Sequence, residues 1–201
     1  GPALRSVAES LRSDREVVLT AVRAWGLALE HAAPELQAER DVIMAAVCHH
    51  GGALEFAANA LHADREIVLA AVGNHGEALE FASSELQADR EVVAAAVHQS
   101  GEALRFASAE LRSNREVVLA AVRVDWRAIQ AVPQEFLADR EVVLEAVRKH
   151  GLALSLVADE LRKDEEVVLA ATGNNIFAID FAAQELQDDP VFRVMAARAA
   201  A

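Results

Sequence analysis

The chain has 201 residues, 53% of them hydrophobic, a formal charge of −13 and one cysteine, Cys48. That is ample apolar material for a core, while the longest apolar runs are too short for a transmembrane span. A single cysteine excludes an intrachain disulfide and agrees with a reducing, cytoplasmic setting, and the acidic balance disfavours non-specific nucleic-acid binding.

Gly1-Pro2 reads as a protease-cleavage scar, with no secretory signal behind it, and the chain starting inside a repeat is expected of a fragment. Residues 1–10 read as a partial first repeat. From there Leu11, Leu36, Leu61, Leu86, Leu111, Phe136, Leu161 and Leu186 stand 25 residues apart. Seven complete repeats cover 11–185 without insertion, and 186–201 form a partial one. A fixed period of this size predicts an all-α, right-handed α-solenoid, a single continuous stack of two-helix repeats in which each repeat buries its apolar face on its neighbours.

Positions are numbered from the leading Leu. Positions 4–16 predict a first helix: an aspartate N-cap at position 4 (Asp14, Asp64, Asp89, Asp139), then an acid in the first turn at position 6. In the last copy, Asp189-Pro190 sets proline at the first helical residue, where it is tolerated. Gly26, Gly51, Gly76, Gly101 and Gly151 at position 16 predict a left-handed stop, with Asn174 and Asn175 substituting in the seventh repeat. Positions 7, 8, 9, 11 and 12 are apolar, a stripe wide enough to meet a partner helix and both neighbouring repeats. Positions 17–23 predict a second, shorter helix with an invariant Ala at position 18, such as Ala78. Pro34 and Pro133 end or kink it, and a turn leads to the next Leu.

Acids at positions 4, 6 and 25, opposed by arginine at position 5, account for the whole negative balance, and the remaining charges nearly cancel. The acidity therefore belongs to the framework. Arginine at position 5 is expected to pair with the position-25 glutamate of an adjacent repeat, giving a stacking ladder and not a binding surface.

Residues capable of chemistry do not converge. Cys48-His49-His50 puts three possible ligands in a row, but consecutive helical residues point about 100° apart. His50, His75 and His150 recur at position 15, where the helix-packing distance of about 8–10 Å between neighbouring repeats is too long for a shared zinc. No glycine-rich phosphate loop or strained nucleophile elbow is present. The expectation is no catalytic, metal or cofactor site. The fifth repeat is the irregular one: Trp126 replaces the glycine, Pro133 shortens the second helix, and Ala131 stands where Phe is usual. Trp126 is expected to be mostly buried near Ala131, filling the space of the missing Phe. The opposing reading is an exposed anchor beside Arg127, since Trp and Arg are enriched at binding hot spots. Trp25 is a second, weaker candidate.

The pattern Asp-Arg-Glu-Val-Val, then Ala-Val and Gly-x-Ala-Leu, resembles the repeats grouped as domain of unknown function 4116. That resemblance covers almost the whole chain, departing at 124–135 and in the C-terminal repeat. It implies an all-helical repeat protein and transfers no catalytic residues. The function expected is a non-enzymatic scaffold for an unidentified protein or peptide partner, read by positions 2, 3, 13, 14, 17, 20 and 24, with oligomeric state left open. Alternatives are a purely structural spacer, or a small-molecule or lipid carrier with a groove along the stack.

Overall fold

Each long helix begins where its position-4 residue predicts. The computed structural model describes residues 9–200; most of the partial repeat at 1–10, including Gly1-Pro2, lies outside the described residues. The long helices span Arg15–Ala24 (α1), Arg40–Val47 (α2), Arg65–Asn74 (α3), Arg90–Gln99 (α4), Arg115–Val124 (α5), Arg140–Lys149 (α6), Glu165–Asn174 (α7) and Pro190–Ala199 (α8). The Asp14 carboxylate accepts from the N–H groups of Glu16 and Val17 at 3.0 and 3.1 Å. Asp64, Asp89 and Asp139 do the same, and the Asn114 carbonyl oxygen takes their role in α5. Glu39 makes no such bond. Its extra methylene suits it to a different contact, described below. Pro190 occupies the first turn of α8 behind the Asp189 cap.

The rest of the repeat differs from a two-helix unit. After the long helix, position 15 is extended, with φ −144° at His75 and −149° at His150. A 3-10 helix of five or six residues follows, as in Gly26–His31, Gly76–Phe81 and Gly151–Leu156. A third, one-turn helical piece then carries the leading Leu, as in Pro34–Gln37 and Ser84–Gln87. The second helix is over by His31, ahead of Pro34 as expected, and Pro34 starts the third piece. Pro133 sits before Gln134–Ala138, and the 3-10 helix ahead of it, Trp126–Gln130, is one residue short.

The position-16 glycines are not left-handed stops, because no described residue has a positive φ. Their role is close approach. A Cβ at Gly26, Gly51, Gly76 or Gly151 would collide with the backbone carbonyl oxygen of Ala46, Ala71, Ala96 or Ala171 in the following repeat. Hydrogen alone fits there, so at these four repeats the start of the 3-10 helix lies directly on the next long helix.

By its internal contacts the chain forms two compact units, Gly1–Leu111 and Arg112–Ala201. In the first, α1 packs on α2, α2 on α3 and α3 on α4; in the second, α5 packs on α6, α6 on α7 and α7 on α8. Both cores use the same positions. Val18, Ile43, Val68 and Val93 (position 8), with Ala28, Ala53, Ala78 and Ala103 (position 18), are sealed from solvent in the first unit. Val118, Val143 and Val168, with Ala128, Ala153 and Ala178, repeat the arrangement in the second. Among the described residues there is no strand, and no helix is long and apolar enough to cross a membrane.

Candidate functional site

Separating the scaffold residues from those left over defines the candidate site. The arginine ladder exists, but with acceptors other than position 25. In the first unit Arg40 Nε donates to Asp64 Oδ2 at 2.8 Å and its Nη2 meets Glu66; Arg65 likewise holds Asp89 and Glu91. Arg15 reaches Glu39 at 2.9 Å. In the second unit Arg115 holds Asp139 and Glu141 at 2.7 and 2.8 Å, and Arg140 holds Asp164 and Glu166. The pairing runs from position 5 to positions 4 and 6 of the next repeat, because the starts of stacked long helices lie side by side. The position-4 carboxylate serves twice: Asp64 Oδ1 caps its own helix while Oδ2 takes the arginine of the repeat before.

The arginine hydrogen bond is the main cause that holds Asp64, Asp139 and Asp164 below the usual carboxylate range. For Asp89 the backbone N–H of Val92 comes first, with Arg65 supporting it. These exposed arginines contribute little singly.

Position 2, expected to be a variable recognition site, is scaffold as well. Gln37 and Gln87 donate through Nε2 to the carbonyls of Leu29 and Leu79 at 3.0 and 3.1 Å, closing the 3-10 helix of the preceding repeat. His62 Nε2 meets Leu54 O at 3.0 Å, and Arg162 donates to Val157 O and Ser155 O, both at 2.8 Å. A backbone bond reinforces the same junction: the position-23 N–H donates to the position-2 carbonyl, as in Ala58 to Gln37 and Ala158 to Leu137. Position 14 is also engaged where it carries an amide. Asn174 accepts from the Gly151 N–H at 2.8 Å and donates to the Arg148 and Lys149 carbonyls.

Against that frame, irregularities gather at the fifth and sixth repeats, in the second unit. Pro133 has no N–H to offer the Arg112 carbonyl. Leu137 stands at position 2 and can donate nothing. Leu137 instead lines a recess of about 360 Å³ with Gln134, Leu156, Val157, Ala158, Asp159 and Glu160. Trp126, with a Cβ where the close approach demands hydrogen, is half-buried. Its ring stacks on His150 of the next repeat, centroids 4.1 Å apart and planes 19° from parallel. The ring is largely covered, and His150 is what stacks on it. Position 15 of one repeat abuts position 16 of the repeat before, as the closeness of His50 and His75 to Gly26 and Gly51 shows. Arg127 is exposed and folds back on Asp125, Nη2 to Oδ2 at 2.8 Å. That contact holds the Asp125 carboxyl below its usual range. Trp25, in the first unit, is half-buried and edge-on to His50 at 6.5 Å between centroids.

The sequence reading missed His150 as the partner of Trp126, and Leu137 as the residue that opens the recess. The signal for each lay in aligning position 15 or position 2 with the preceding repeat.

The family model described as "Domain of unknown function (DUF4116)" matches residues 1–37, 39–87, 89–137 and 139–187. The chain belongs to this family. Each full match spans about two of the 25-residue repeats, so the DUF4116 unit is a pair of them. No curated protein and no solved structure matches the chain. The DUF4116 pattern accounts for the frame, whereas Trp126, Pro133 and Leu137 depart from it.

Proposed function

We propose that this DUF4116 protein is a non-enzymatic interaction module that binds a protein or peptide through the second unit, at Trp126 and its surroundings. In this reading the repeats of each unit wind in the right-handed sense, leaving positions 13, 17, 20 and 24 open for recognition. The supporting observation is the Trp126–His150 stack. A half-buried indole stacks on an imidazole, with the Arg127–Asp125 pair beside it, where five other repeats carry glycine. Rigid, partly exposed aromatics recur at binding hot spots, since little side-chain freedom is lost when a partner covers them. The acidic framework disfavours nucleic acid as that partner.

The test is selection of peptides from a random library against the intact protein. Binders should lose at least about tenfold in affinity to Trp126→Ala and to Arg127→Ala. Selected peptides that bind both variants unchanged would remove Trp126 from the site. Trp126→Ala should cost stability too, by about 2 kcal/mol, less than the 3–5 kcal/mol of a fully buried aromatic.

A further inference from the structure

The last long helix, α8, buries positions 7 and 11 as the six long helices before it do, but carries further apolar residues at positions 6 and 10, which are acidic or small elsewhere. Elsewhere positions 8 and 12 are Val, Ile or Thr and are closed from solvent: Val143 and Val147 in α6, Val168 and Thr172 in α7. In α8 those positions are Arg193 and Ala197, both exposed. Position 6, an acid in the seven preceding copies, is Val191 at 67% exposure, and position 10 is Met195 at 43%. With Val194 at 53%, these side chains share one face at i, i+3 and i+4, and Arg198 extends it at i+7. Phe192 and Ala196, on another side, are what α8 buries. This face suits a partner other than another repeat stacked in register, which would bury Arg193.

We infer that the face formed by Val191, Val194, Met195 and Arg198 is a dimer interface, covered by α8 of a second copy of this chain running antiparallel. Charge selects that occupant. Asp188 and Asp189 lie at the N-terminal end of α8, Arg193 and Arg198 in its C-terminal half, and no acid falls within Pro190–Ala199. An antiparallel copy centred between Val194 and Met195 sets Arg198 over Val191 of the other chain. The arginine stem covers the apolar side chain, and its head reaches Asp188 one turn away. The helix dipoles then also oppose each other favourably. Position 6, where Val191 stands, is exposed in every other repeat, so its exposure does not depend on a neighbour in the stack, and position 10, where Met195 stands, is exposed or half-buried.

The interface is small, so a reversible dimer with micromolar affinity is expected. Sedimentation velocity on the whole chain, from about 1 to 300 µM, should show mass rising from one copy to two. Val191→Glu with Met195→Glu should give a monomer throughout, with unchanged circular dichroism and melting temperature. Arg198→Glu should weaken association about tenfold, and adding Asp188→Arg should restore it. A wild-type monomer over the whole range, a dimer indifferent to Val191→Glu and Met195→Glu, or a charge reversal that restores nothing would each overturn the assignment. None of these outcomes touches the Trp126 reading, whose test lies at a separate surface.

Discussion

Glycine in this protein acts through what it lacks, and two glycines of adjacent repeats separate the two ways that can matter. Gly51 has the Ala71 carbonyl oxygen and the His75 Cβ where its own Cβ would be, while Gly73, near the end of α3, has nothing within 4 Å. Gly51→Ala should therefore destabilise by about 1–3 kcal/mol through overpacking against backbone that cannot yield. Gly73→Ala should stabilise by about 0.4–1 kcal/mol, because only the unfolded chain loses freedom. Paired chemical-denaturation midpoints measure both, and the same sign for the two would refute the close-approach role. At this scale the sequence showed that position 16 is constrained but suggested the wrong constraint. A glycine needed for a left-handed turn and one needed for contact look alike in a repeat, and only the position of the next repeat's carbonyl distinguishes them. Trp126 poses the same problem in reverse: its anomaly is plain in sequence, but its partner His150 lies 24 residues on.

The long helix was almost wholly readable at the scale of the element, because its start depends on local chemistry. Asp64 or Asp189 caps its own first turn through N–H groups two and three residues ahead. The 3-10 helix was not readable as such. Six residues such as Gly76–Phe81 are apolar at positions that serve an α-turn or a 3-10 turn equally, and what closes the piece comes from the following repeat. That donor sits at position 2, which, Leu137 apart, varies among Gln, His and Arg and so resembled a recognition site. The common property is an N–H that reaches back to a carbonyl. Gln87→Leu should then cost about 1–3 kcal/mol by leaving the Leu79 carbonyl without its side-chain donor in a half-buried place. Gln87→His should retain most of the stability, as His62 demonstrates the same bond. Thermal melts of the two variants compare them directly, and equal losses would return position 2 to the variable surface.

Over the whole molecule, the charge of −13 and the ladder predict opposite responses to acid. If self-repulsion among carboxylates dominated, stability would rise as pH falls toward the isoelectric point near 4.9. The ladder argues otherwise. Asp64, Asp89, Asp139 and Asp164 have folded pKa values lowered from 3.8, so the folded state binds protons less readily than the unfolded chain. Their stabilisation is complete above the unfolded value and is lost as pH falls through the folded values, below about 4. The repeated carboxylates are individually weak but are bonded both to arginine and to their own helix start, so protonation cancels a cap and a stacking contact together. The melting temperature should hold level from about pH 8 to pH 5 and fall steeply below about pH 4. Arg40→Ala should soften that acid limb by allowing the Asp64 pKa to rise toward its ordinary value, while also lowering the neutral plateau slightly. A melting temperature that climbs as pH falls from about 8 to 5 would show that net charge, not the ladder, governs how these repeats hold together.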